Sequence, residues 1–136
     1  MSVIVTDSGF RAEDFTGDIV ALNEAPEQAL AIDLPSDADP QVLADRLPGL
    51  QLIRVDFPSF ADGRGFTIAR QLRQMGYTGR LRACGHVISD QYAMARRSGF
   101  DEVEISDDLA ARQPAAEWIF RADWRCHDYQ ARLRAG

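Results

Sequence analysis

Short apolar runs alternate with polar segments along most of the chain, and their spacing predicts repeated strand–helix units. Four runs have the length and apolar content of buried strands: residues 29–32, 50–55, 81–84 and 101–105. Helical patterns lie between these runs, over residues 40–47, 62–75 and 89–98. Because strands that alternate with helices of this length form βα units, we predict a single-domain α/β fold with a mostly parallel sheet of four to five strands flanked by helices. Periodicity does not fix the strand order, so a half-barrel arrangement of the units stays open as the alternative.

The N-terminal part of the chain departs from this pattern. Residues 3–5 and 19–22 are short apolar runs separated by a polar stretch, and they predict an N-terminal hairpin or two edge strands within residues 1–27. The βα core then spans residues 28–108, and the whole chain, residues 1–136, forms one domain.

The last segment, residues 109–136, has a helical pattern from Pro114 onward. Side chains three or four positions apart share one face of this predicted C-terminal helix: Trp118, Ala122, Cys126, Tyr129 and Leu133. We expect the helix to dock on the sheet, and homodimerisation through it is the alternative.

Every basic residue is an arginine, which limits the chemistry open to the chain. The 136 residues include 15 basic and 21 acidic side chains, for a net charge of −6, and contain no Lys. A Lys Schiff base and a phosphate-binding Walker Lys are therefore excluded. Any bound anion must be held by Arg, by backbone N–H groups or by a metal. The acidic balance argues against nucleic acid and anionic membrane surfaces as partners.

Cysteine content and targeting patterns indicate the cytoplasm. No apolar run approaches the ~20 residues of a membrane span, and the N-terminus lacks the basic start and long apolar stretch of a signal peptide. Two cysteines, Cys84 and Cys126, do not form a disulfide framework. We therefore expect a reduced, cytoplasmic setting.

A glycine-rich segment at the start of the second predicted helix is the first candidate site. Gly63 and Gly65 allow the backbone to approach a ligand closely, and Arg64 adds a guanidinium to the free N–H groups of the helix start. This combination suits an oxyanion such as sulfite, sulfate or phosphate, provided that Asp62 is paired. The spacing of Ser59 and Asp62 also fits a capping box, which needs no ligand.

The second candidate site follows the third strand of the predicted core. Strand alternation places Arg82 and Cys84 on one side, and Gly85 frees the turn that brings His86 to the ligand edge. His86 could act as a general acid or base, and Cys84 as a nucleophile if Arg82 or a helix start lowers its pKa. A His bonded to the backbone and a buried structural Cys are the simpler alternatives.

Polar residues at the start of the following helix complete this ligand edge. Ser89 suits the cap position, and Asp90 and Gln91 then lie in the first helical turn. Zinc spacing is absent from Cys84, His86 and the pair at 126–127, so no metal is predicted. The sequence also lacks a nucleotide fingerprint, a C-x-x-C motif and an iron–sulfur ligand set, so no cofactor is predicted.

Two segments of the core resemble the signature of the bacterial domain-of-unknown-function family 934. They are FADGRGFTIARQLR at residues 60–73 and RACGHV at residues 82–87, the latter followed by DQ at 90–91 and RSGFD at 97–101. The resemblance covers about residues 50 to 105. It implies a protein of the kind labelled a probable oxidoreductase involved in sulfite reduction. Because the sequence carries no cofactor motif, we expect instead an accessory protein of assimilatory sulfite reduction that acts with a sulfite reductase component and without its own redox cofactor. The alternative is a small-molecule enzyme or binding protein that holds an oxyanion at the carboxyl edge of the sheet.

Overall fold

The computed structural model describes residues 2–26 and 28–123, and a mixed sheet forms the centre of this part of the chain. Its strands are β1 (Ser2–Thr6), β2 (Gly9–Arg11), β3 (Val20–Ala21), β4 (Ala31–Leu34), β5 (Leu52–Phe57), β6 (Arg80–Gly85) and β7 (Glu102–Ser106). They lie in the order β2-β1-β7-β6-β5-β4-β3. Strands β3 to β7 are parallel and neighbour one another in chain order, whereas β1 is antiparallel to both β2 and β7.

Short helices connect or follow the parallel strands. They are α1 (Arg64–Gln74), α2 (Tyr92–Ser98), α3 (Asp107–Arg112) and α4 (Ala115–Phe120). Helix α1 buries Phe66, Ala69 and Leu72, which recur every three residues and therefore share the face that packs on β5. Helix α2 ends at Gly99, whose φ of +117° favours glycine, and the next residue, Phe100, is fully buried. No helix in the described part of the chain is long and apolar enough to cross a membrane.

The two faces of the sheet differ in their chemistry. Right-handed connections between parallel neighbours in chain order carry helices to the same face, where apolar strand residues such as Val55, Ala83 and Val103 form the core. Alternate positions of the same strands carry charges, and we call this side the polar face. Its charged members include Asp33, Arg54, Arg80, Arg82, Glu102 and Glu104. The parallel strands β3 to β7 also follow chain order across the sheet, and this is the strand order that the half-barrel alternative requires.

A linking segment crosses the polar face. Residues 12–19, which we call the strap, join β2 at one edge of the sheet to β3 at the other. Six strand spacings of ~4.8 Å separate these edges by up to about 29 Å. Nine Cα–Cα steps of extended chain reach about 30 Å, so the strap has about the length needed to cross the sheet. Glu13 and Asp14 accept hydrogen bonds from Arg82 and Arg80, which places the strap over the polar face.

The N-terminal hairpin does not join the two apolar runs at residues 3–5 and 19–22. β1 contains residues 3–5, but its hairpin partner is β2, and Gly9 closes the turn with a φ of +113°. The run at residues 19–22 contributes β3 at the opposite end of the sheet, so the two runs do not pair as a hairpin. The edge-strand alternative holds for this run but not for β1, which lies between β2 and β7. The described residues contain seven strands rather than four to five, because β2 and β3 have three and two residues and show no periodicity.

The first predicted helix is replaced by two 3₁₀ turns, Pro40–Leu43 and Leu47–Gly49. The expected cap is present, because the Asp39 side chain accepts a hydrogen bond from the backbone N–H of Gln41 at 3.0 Å. The helix does not continue, because the residue before a proline is disfavoured in the α conformation and Pro48 follows Leu47.

The C-terminal helix is also shorter than predicted. Helices α3 and α4 separate at Pro114, and α4 is capped by Arg121, so Ala122 lies beyond the helix. Trp118 of α4 is fully buried, with its ring edge-on to that of Tyr92 at 6.0 Å between centroids. Three residues of the predicted stripe, and with them the dimer contact through it, lie outside the described residues: Cys126, Tyr129 and Leu133.

Candidate functional site

A cleft of about 540 Å³ opens on the polar face at the carboxyl ends of β4, β5 and β6. Loops that follow parallel strands meet at this edge, which is where ligands of α/β sheets usually bind. The walls of the cleft are mostly apolar, and its polar groups come from alternate strand positions. The lining residues are Ala21, Leu22, Asn23, Asp33, Leu34, Pro35, Arg54, Asp56 and Cys84.

Arg54 forms the centre of the cleft floor and is held by two carboxylates. Its Nε and Nη2 donate to the two Asp33 oxygens at 2.5 and 2.7 Å, and its Nη1 donates to Glu104 at 3.0 and 3.3 Å. The hydrogen bonds to Asp33 raise the pKa of Arg54 above its already high ordinary value. The positive charge of the floor is therefore permanent, and it is neutralised within the protein.

Asp56 and Cys84 lie opposite each other on β5 and β6 and share the polar face. Burial, with a smaller effect from Glu104, raises the pKa of Cys84 to about 12, so this side chain is a neutral thiol near pH 7. An Arg-activated nucleophile at Cys84 is thus not supported, because burial dominates. The Asp56 side chain is exposed, and its carboxylate makes no hydrogen bond or ion pair with the residues that the structure describes.

Arg82 belongs to a buried ion cluster under the strap rather than to the ligand edge. Its fully buried guanidinium donates to Glu102 at 2.6 Å, to Glu104 at 2.9 Å and to both carboxylate oxygens of Glu13. Burial opposes its charge, but the hydrogen bonds to Glu13 and Glu102 outweigh this and raise the pKa of Arg82. Arg82 and Arg64 share no partner, so the two arginines form no common anion site.

In the glycine-rich segment, Arg64 binds the carboxylate of the neighbouring Asp62. Asp62 accepts from the Arg64 side chain at 3.0 and 2.7 Å and from its backbone N–H at 3.1 Å, and Arg64 also donates to Ser36 at 2.8 Å. The hydrogen bonds from Arg64 hold the pKa of Asp62 well below its usual range. Asp62 thereby accepts from the Nε, Nη2 and backbone N–H donors of Arg64 that were expected for an oxyanion. The predicted capping box is wrong, because the Asp62 backbone N–H donates to the Ser59 carbonyl and Gly63 occupies the cap position.

The glycines of both candidate motifs serve packing and turns. A Cβ on Gly65 would lie 2.4 Å from the Phe57 ring, so this glycine lets α1 approach β5. Gly63 caps α1 and has room, because a Cβ added there would lie 3.9 Å from the ring of Phe66, its nearest neighbour. Gly85 has a φ of +114°, and a Cβ there would lie 2.8 Å from the Phe57 carbonyl oxygen.

The remaining candidates link loops beside the cleft. His86 is exposed, its Nδ1 lies 3.2 Å from the Phe57 carbonyl oxygen, and its ring meets Phe60 edge-on at 5.0 Å. Gln91 accepts from the Ile88 backbone N–H and donates to the Phe60 carbonyl. In that turn the Gln91 side chain therefore provides the cap that was expected of Ser89. Asp90 is exposed and pairs with Arg121 at 2.6 Å. The cleft lining includes none of the four candidates His86, Ser89, Asp90 and Gln91.

The cleft residues that the sequence motifs missed are Asp33, Arg54 and Asp56. The signal for them is strand alternation, because charges recur at every second position of β5, β6 and β7. Within residues 2–26 and 28–123 no group of three or more His, Cys, Asp or Glu side chains is arranged to hold a metal. The pair at 126–127 lies outside those residues.

Comparison with known proteins bears on the resemblance carried by the two motifs. No curated protein matches the chain significantly. A family model described as "Bacterial protein of unknown function (DUF934)" matches residues 31–135, which is most of the chain. The chain therefore belongs to this bacterial family of unknown function, as the motifs at residues 60–73 and 82–101 predicted.

Proposed function

We propose that the chain binds a small organic molecule in the carboxyl-edge cleft. The observation that carries this proposal is the cleft itself: its volume of about 540 Å³ falls within the range of ordinary ligand pockets. Apolar walls from Ala21, Leu22 and Pro35 can bury a hydrocarbon body. Asp56 and the fixed Asp33–Arg54 pair supply the few polar groups that orient a ligand.

A cleft-filling variant tests this proposal. Ala21 lines the cleft at the end of β3 and is exposed, so Ala21→Trp should fill the cleft without disturbing the core. The matched control is Ala111→Trp, at an exposed position of α3 outside the cleft. A library of small apolar-bodied fragments, both charged and neutral, is titrated into ¹⁵N-labelled protein. We expect some fragments to shift the amide signals of Asn23 and Cys84 in the wild type and in Ala111→Trp but not in Ala21→Trp. Shifts that persist in Ala21→Trp, or no shift at these amides, would contradict the proposal.

The second candidate function is an accessory role in cytoplasmic sulfite reduction, as the family resemblance implies. What supports it here is an exposed aromatic surface beside the turn at Ser89–Gln91. Phe120 is 74% exposed and lines a groove with Ser89 and Asp90. Phe60, 42% exposed, is linked to the same turn through Gln91. Exposed aromatic side chains of this kind are enriched at protein interfaces.

Mixing with a purified assimilatory sulfite reductase tests the accessory role. We expect a complex that Phe120→Ser weakens and that the control Val42→Ser leaves unchanged, because Val42 is 58% exposed on the 3₁₀ turn at Pro40–Leu43. We also expect the purified protein to lack flavin, haem and iron–sulfur absorption. The absence of any complex at micromolar concentrations would contradict the accessory role.

The oxyanion version of the ligand proposal has less support. The Nε and Nη2 groups of Arg64 donate to Asp62 and Ser36, and Arg54 donates to Asp33 and Glu104, so both positive charges are already neutralised by carboxylates of the protein. Sulfite, sulfate and phosphate are therefore expected to raise the melting temperature no more than chloride does at equal ionic strength. A specific rise that Arg64→Ala abolishes would restore the oxyanion site.

A further inference from the structure

The charge of the cleft selects the chemical class of its ligand. Arg54 is its only cationic lining residue among those that the structure describes, and the Nε, Nη1 and Nη2 groups of that side chain all donate to Asp33 or Glu104. A ligand carboxylate or phosphate would meet a guanidinium whose charge is already neutralised by two carboxylates fixed on β4 and β7. The floor thus presents an internally satisfied ion pair instead of an anion receptor.

The second step concerns the negative charge that remains in the cleft. The Asp56 side chain is exposed on the cleft side of β5, and its carboxylate has no hydrogen-bond or ion-pair partner among the described residues. Its neighbour across the strands, Cys84, is an uncharged thiol. Asp33 is neutralised by Arg54. One carboxylate without a partner in the described part of the chain therefore faces a space whose other walls are largely hydrocarbon.

The third step concerns what such a space can hold. A hydrated metal ion would leave the apolar walls of Ala21, Leu22 and Pro35 against water, whereas an organic body would cover them. The lining formed by the described residues contains no aromatic ring, so the cage that recognises quaternary ammonium groups is missing from it. An N–H-bearing cation can instead donate directly to a carboxylate, which is the stronger, charge-assisted form of hydrogen bond.

We propose that the cleft takes an organic cation, a primary amine or guanidine carried on a small apolar body, and that Asp56 receives its N–H groups. This inference rests on the small-molecule function proposed above and narrows it to one ligand class. The polar end of the ligand lies at the Asp56–Cys84 position, and the hydrocarbon body lies along Leu22 and Pro35. Asn23 is the further polar side chain on the rim.

Three matched probes test the inference on the intact chain: benzylamine, benzyl alcohol and benzoate. They share one ring and differ in the polar group attached to it and in its charge. Titrations into ¹⁵N-labelled protein are followed at the amides of Leu22, Asn23, Asp33 and Cys84. We expect benzylamine to shift these signals and bind at least tenfold more tightly than the other two. Asp56→Asn, which removes the charge with little change of shape, should weaken benzylamine binding about tenfold or more. Asp45→Asn, at an exposed acidic residue outside the cleft, should leave it unchanged.

Each other outcome is decisive as well. If benzyl alcohol or benzoate binds in the cleft as tightly as benzylamine, or if Asp56→Asn binds benzylamine like the wild type, the cation inference is overturned while the small-molecule site stands. If no probe shifts the cleft amides at millimolar concentration, the proposed function itself is contradicted. The amide spectrum of Asp56→Asn reports at the same time that the variant is folded.

Discussion

Replacing Arg82 by Met would show how strongly the buried ion cluster holds the polar face together. The guanidinium is fully buried and donates four hydrogen bonds to Glu13, Glu102 and Glu104. Removing one member of a buried ion pair usually destabilises a protein by about 3–5 kcal/mol. Glu102 and Glu104 keep other arginine partners, so we expect the lower end of this range, a loss of about 3 kcal/mol in the free energy of unfolding. For a domain of this size that corresponds to roughly 10 °C in Tm.

Urea unfolding followed by far-UV circular dichroism at pH 7 measures this loss. Arg70→Met is the matched control, because Arg70 is exposed on α1 and its replacement should change stability by about 0.5 kcal/mol or less. Arg82→Lys keeps the charge but offers three donors from a single nitrogen, so it should recover only part of the loss. A loss below about 1 kcal/mol for Arg82→Met, or full recovery by Lys, would refute the reasoning.

Three further predictions concern single side chains. Gly65→Ala is expected to lower the free energy of unfolding by about 1–3 kcal/mol, because its Cβ would meet the ring of Phe57. Gly49→Ala, at an exposed position where an added Cβ would meet nothing within 4 Å, should change it by about 0.5 kcal/mol or less, and equal urea midpoints for the two variants would contradict the packing role. The hydrogen bond from Arg82 lowers the pKa of Glu13 below its ordinary 4.5, so Glu13 stabilises the fold above that pH and loses this effect as pH falls through the lowered pKa. The urea midpoints of wild type and Glu13→Gln should therefore differ at pH 7 and converge in acid; a difference that widens in acid is the contrary result. Cys84, with its pKa of about 12, should react with iodoacetamide at pH 8 roughly 30-fold more slowly in folded than in urea-unfolded Cys126→Ser protein; equal rates would contradict the raised pKa, and a faster rate in the folded protein would indicate an activated thiolate.

The parts of the fold that the sequence predicts are those with enough residues to show a period. α1 and the strands β5, β6 and β7 follow from apolar spacing, and all lie close to the predicted ranges. β2 and β3 could not be predicted in the same way, because strands of three and two residues are defined by their partners and not by their own pattern. The crossing of the strap depends on where those partners lie, and this is fixed only by the long-range pairing of β1 with β7.

The site was harder to predict than the fold, because motif and geometry point to different residues. The glycine-rich segment resembles an anion site, but a neighbouring side chain, Asp62, can satisfy Arg64 just as a ligand would. The ring of Phe57 likewise leaves no room for a side chain at position 65, but Phe57 is eight residues away in sequence and lies beside Gly65 only after folding. The charges of β5 to β7 carry the better signal. Charged residues at every second position of parallel strands indicate that one face of the sheet is not covered by helices.

The arginine-only composition has structural consequences on the polar face. Arg54 bridges carboxylates on β4 and β7, and Arg82 bridges β7 and the strap, so each guanidinium must donate in several directions at once. A lysine ammonium concentrates its donors on one nitrogen and cannot span such distances. Because these arginines are satisfied by carboxylates that the fold itself supplies, their number on this face does not create an anion site. The charge left over in the cleft is that of Asp56, so the network that joins the strands is also the basis of the cation preference that we propose for the cleft.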